Sequence, residues 1–65
     1  MTETYDGIYY QVKISYSNRF GNSVEIIWSM SDHVKTLAAD EVPGVISRLK
    51  AGENVDTVVN DLGYS

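Results

Sequence analysis

A chain of 65 residues with a formal net charge of −4 has room for one hydrophobic core, and 43% hydrophobic with 22% charged residues is the composition of a folded domain rather than a disordered tail. The absence of cysteine and the presence of one histidine, His33, exclude a disulfide framework and a thiolate zinc site, so no cofactor or metal is expected. Five basic against nine acidic side chains are a poor endowment for displacing phosphate counterions, which makes a protein the expected partner and disfavours nucleic acid.

The opening Met1-Thr2-Glu3-Thr4-Tyr5-Asp6 is polar and acidic, without the basic start and apolar run of a secretion signal. No apolar stretch approaches the ~20 residues of a membrane helix, so the expected location is cytoplasmic, with no membrane partner. From Ile8 to Tyr16 the apolar residues occupy every second position (Ile8, Tyr10, Val12, Ile14, Tyr16), which predicts a strand. The same parity in Val24, Ile26, Trp28 and Met30 predicts a second. The short, turn-rich stretch Ser17–Ser23 between them forces an antiparallel hairpin. Pairing Tyr16 with Val24 would set Ile14 by Ile26, Val12 by Trp28 and Tyr10 by Met30, and a two-residue slip would keep the same apolar face. His33 to Leu37 is a candidate third strand after a turn at Ser31-Asp32.

Beyond Leu37 the spacing changes to Val42, Val45, Ile46 and Leu49, one face of a helix. Asp40 is the expected N-cap, Pro43 falls in the first turn, Arg48 and Lys50 in the last, and Gly52 ends it. A second helix follows, with Asn54 as N-cap, Asp56 in its first turn, a stripe of Val55, Val58, Val59 and Leu62, and Gly63 as the stop. The expected fold is therefore α+β in a single domain, residues 1–65. It is an antiparallel β-hairpin, or a three-stranded meander if 33–37 pairs, with one face covered by two short C-terminal helices (ββαα or βββαα). The expected core is Val12, Ile14, Ile26, Trp28, Val45, Ile46, Leu49, Val58 and Leu62.

Chemistry-bearing groups are sparse. His33 directly follows Asp32 in a turn, and neighbours in an extended segment point to opposite faces, so they make no dyad. The scattered glycines form no phosphate-binding loop, and no catalytic residue is assigned. Candidate partner-binding residues lie in two places. The hairpin tip carries Arg19 and Phe20, residue types enriched at interface hot spots. The outer sheet face offers Tyr9 and Ile27, with Lys13 and Glu25 at their rim, and the unpaired strand edges invite self-association as a homodimer.

The segment Leu49–Ser65 resembles the opening half of a helix-turn-helix unit, in which such a helix and a Gly-x-Ser turn precede the recognition helix. Val59 stands where that family carries a small alanine, and Glu53, Asp56 and Asp61 would face phosphate. The resemblance implies, as the alternative function, a nucleic-acid-binding or regulatory protein. In size and acidity the chain also resembles accessory proteins of bacteriophages and mobile elements, some of which inhibit host machines. The favoured expectation is a small noncatalytic protein-binding module, not an enzyme.

Overall fold

The computed structural model describes residues 1–63. Four strands form one antiparallel meander in sequence order: β1 (Thr2–Asp6), β2 (Tyr10–Ser15), β3 (Ser23–Trp28) and β4 (Val34–Thr36). Two helices follow, α1 (Val42–Lys50) and α2 (Val55–Asp61). The hairpin, the α+β class and the helix pair are as the sequence predicts, and β4 realises the expected strand within 33–37.

The N-terminal β1 is an addition. It pairs Glu3 with Ile14 and Tyr5 with Val12, extending the sheet beyond the predicted hairpin. The β2–β3 register is the two-residue slip of the expected one: Ile14 faces Val24, Val12 faces Ile26 and Tyr10 faces Trp28. Tyr16 lies beyond the β2–β3 ladder, because β3 begins at Ser23 opposite Ser15; on its other side its N–H donates to the Met1 carbonyl at 2.8 Å. Parity survives the slip, so the apolar face is unchanged in kind. Its ends are not: Ile8 and Met30 fall beyond the strands, into turns, and are exposed rather than covered.

The core lies between this face and the helices. Val12, Ile14, Ile26, Val45, Leu49 and Val58 are buried as expected, joined by Tyr10, Val24, Leu37, Val42 and Val59. Trp28, Ile46 and Leu62 are only partly buried, at the margin of the core. Trp28 closes that margin edge-on between Tyr10 and His33, with ring centroids 5.6 and 4.6 Å away. Each fully buried valine or isoleucine contributes about 1.5–3 kcal/mol of transfer free energy, so this layer is the main support of so small a fold.

Helix α1 starts one residue later than the Asp40 cap implies. Glu41 is the N-cap and makes no side-chain capping bond, so Pro43 with its preset φ carries the start. Its end follows the expected pattern: Gly52 has φ +88°, the Gly52 N–H reaches the Leu49 carbonyl and the Glu53 N–H reaches that of Arg48. Asn54 caps α2 by accepting from the Thr57 N–H at 3.0 Å. Arg48 then clamps the two helices, bonding Glu53 at 2.9 Å and Asp61 at 2.8 Å, and these two carboxylates raise its already high pKa.

Candidate partner-binding site

One carboxylate organises one end of the sheet. Asp56, in the first turn of α2, is buried and accepts three consecutive backbone N–H groups, Ile8 at 2.9 Å and Tyr9 at 3.1 Å from the β1–β2 turn and Tyr10 at 3.2 Å from the first residue of β2. Three consecutive amides converging on one anion form a filled nest, and each bond is charge-assisted. Gly7 lets the turn approach this closely. A Cβ there would lie 2.3 Å from the Asp56 Oδ1 and 2.9 Å from the Tyr10 carbonyl oxygen. The β1–β2 turn is in turn fastened to the β3–β4 turn, since the Ser29 N–H donates to the Tyr9 carbonyl at 3.0 Å.

The consequence is a display of apolar side chains. With the turn backbone drawn onto α2, Ile8 stands 76% exposed and Tyr9 61%. Met30 in the neighbouring β3–β4 turn is 88% exposed, and Val34 opens β4 at the same end. Water disfavours each of these, and nothing among the described residues covers them. Sequence reasoning missed Asp56 because its partners are backbone amides almost fifty residues away. One signal was available: Asp56 sits beside Val55 and three residues before Val59, on the buried stripe, where a carboxylate needs a partner.

The predicted residues are divided between surfaces. Tyr9 belongs to the apolar end. Ile27 is half-buried on the outer face, between Gln11 and Val34 in register, and Lys13 and Glu25 face each other directly across β2 and β3. Arg19 and Phe20 lie at the opposite end, in the β2–β3 turn, where Phe20 is 84% exposed with the Arg19 guanidinium 5.4 Å from its ring centre. That turn closes on itself: the Ser17 hydroxyl accepts from the Phe20 N–H at 3.0 Å and Gly21 takes φ +81°. A second long-range fastening sits near this end, where Tyr16 donates to Glu3 at 2.6 Å and Lys50 approaches the same carboxylate at 3.9 Å.

A groove of about 440 Å³ along α1 is lined by Asn22, Ala39, Val42, Pro43, Ile46 and Ser47, none of them titratable. Among the described residues no three His, Asp or Glu side chains converge to hold a metal ion, and no helix is long and apolar enough to cross a membrane. In the segment resembling a helix-turn-helix, Asp56 is turned inward to the β1–β2 turn, and Tyr64 and Ser65 of the Gly-x-Ser turn lie outside the described residues. No protein-family model, curated protein or solved structure shows a significant match to the chain.

Proposed function

We propose that the chain is a small noncatalytic protein-binding module that engages a larger cytoplasmic partner through the apolar end of its sheet. The observation that carries this reading is the Asp56 clamp, which holds Ile8 and Tyr9 outward beside Met30 instead of letting them collapse onto the core. A turn already ordered by three hydrogen bonds loses little freedom on binding, so more of the apolar burial becomes affinity. Aromatic and methionine side chains suit such a role, Tyr9 as a rigid anchor and Met30 as an adaptable one. Occupying a partner's surface is enough to inhibit it, in keeping with the accessory proteins that the chain resembles in size and charge.

Affinity capture from the native host tests this. The wild type and a Phe20→Ser variant should retain the same protein, whereas Ile8→Asp with Met30→Asp should reduce its recovery at least about tenfold, by placing charges where apolar burial is required. Equal recovery with the double variant would remove the apolar end as the contact. Loss with Phe20→Ser alone would move the contact to the opposite end.

A further inference from the structure

We propose that the outer edge of β1 pairs antiparallel with β1 of a second copy about a two-fold axis through Thr4, joining two four-stranded sheets into one of eight strands. This rests on the protein-binding reading and names a second copy of the chain as one partner.

The argument begins with which groups are open. The Tyr16 N–H bonds the Met1 carbonyl and the Gly7 N–H that of Tyr10, so the odd-numbered residues of β1 exchange bonds with β2. The N–H and C=O groups of Thr2, Thr4 and Asp6 therefore point away from the sheet, and among the described residues no strand pairs with them. Such a row is a template for another strand.

Charge and parity then select the register. Antiparallel pairing must set even-numbered residues opposite even-numbered ones, or the open groups do not meet. Centring on Glu3 places two carboxylates face to face in a close pair, which is destabilising. Centring on Tyr5 sets Thr2 opposite Ile8, whose N–H is already given to Asp56. Centring on Thr4 sets Thr4 opposite Thr4, Thr2 opposite Asp6 and Glu3 opposite Tyr5, so that no like charges meet and every open group of β1 finds a partner. The β4 edge has no equivalent solution. It offers only Val34 and Thr36, and pairing them sets Lys35 opposite Lys35. The contact is isologous and closes on itself, giving a dimer rather than a fibre.

Amide exchange and sedimentation equilibrium on the full chain provide the test. The mass should rise from 7.2 kDa toward twice that value as concentration increases. Over the same range the Thr2, Thr4 and Asp6 amides should slow by about tenfold or more, while Val34 and Thr36 stay fast. Because each copy carries −4, added salt should strengthen the dimer, the opposite of an edge awaiting a basic strand. Thr4→Pro removes an N–H that makes no bond within the chain, so it should return the mass to the monomer with an unchanged circular dichroism spectrum. Thr36→Pro, equally harmless within the chain, should leave the dimer intact.

A mass fixed at 7.2 kDa up to about 1 mM overturns the proposal, as does a dimer whose three β1 amides exchange as in dilute solution. The exchange readout needs no variant, so it stands even if Thr4→Pro misfolds. Host-protein capture that depends on Ile8 in a strictly monomeric wild type removes self-pairing alone. A β1 dimer whose capture ignores Ile8→Asp with Met30→Asp removes the apolar-end reading alone.

Discussion

The two ends of the sheet both push apolar side chains into water, but they are held by different physics. At the β1–β2 end, Ile8 and Tyr9 are fixed by a buried carboxylate on a helix distant in sequence. At the β2–β3 end, Phe20 sits on a turn closed by its own Ser17, and the nearby Tyr16–Glu3–Lys50 group is partly open to solvent. A bond in a poorly solvated place is strong and costly to break, whereas an exposed one competes with water and salt. Exposure alone therefore does not distinguish a binding surface from a turn. What lies under the exposed residue does.

The largest effect that would break this contrast is at Asp56. Asp56→Ala leaves three amides without their acceptor, one of them buried at Tyr10, and should cost about 3 kcal/mol. For 65 residues the whole stability is only about 3–10 kcal/mol, so urea denaturation should find the variant near or past unfolding at 25 °C. A loss under about 0.5 kcal/mol would mean that water replaces the carboxylate and the two ends are alike.

This contrast was only half legible in the sequence. Strand parity and helix spacing located the covered face because burial leaves a period of two or 3.6 in side-chain type. Strand β1 left no such trace: Thr-Glu-Thr-Tyr-Asp is an edge strand open on its outer face, with Tyr5 as its single large apolar side chain. The register is ambiguous by two residues because parity repeats every two: pairing Val24 with Tyr16 or with Ile14 keeps the same apolar face. Among the candidate residues, the tip Arg19-Phe20 was readable from its turn chemistry. The apolar end was not, since Ile8 and Met30 continue the strand pattern, and it is the tertiary clamp at Ile8 and the β3–β4 turn at Met30 that take them out of it.

A second, smaller effect sharpens the comparison through two glycines. Gly7→Ala drives a Cβ into Asp56 and the Tyr10 carbonyl and should cost about 2 kcal/mol. In the Asp56→Ala background most of that cost should vanish, a non-additivity that marks direct contact. Gly21→Ala meets no atom within 4 Å and bears only the strain of φ +81°, about 1 kcal/mol, in any background. Equal costs for the two glycines, or full additivity with Asp56→Ala, would remove the clamp as the reason for Gly7.

Smaller still is Phe20→Ala. At 84% exposure the ring has little burial to lose, and its Arg19 contact is solvated, so thermal denaturation should shift by less than about 0.5 kcal/mol. A loss above about 1.5 kcal/mol would show that Phe20 packs on the sheet end in solution.

The smallest expected effect concerns the exposed fastening near the β2–β3 end, and pH isolates it. The Glu3 carboxylate, accepting from the Tyr16 hydroxyl, together with partial burial, raises the Tyr16 pKa above its ordinary 10.0. The Tyr16 oxygen first, and then the Glu3 charge, raise Lys50 above its ordinary 10.5. Both groups hold their protons more tightly when folded, so their contribution to stability is complete below the unfolded values and is lost as pH rises through the folded ones. Urea midpoints should therefore show no change from this group between about pH 8 and 9 and decline above about pH 10. Tyr16→Phe removes the hydroxyl and its bond to Glu3, so its decline above pH 10 should be shallower than that of the wild type. Added salt should shrink the difference, because the Lys50–Glu3 approach of 3.9 Å is solvated. Superimposable pH profiles for wild type and Tyr16→Phe would show that this fastening contributes nothing to stability, in contrast to the buried Asp56 clamp.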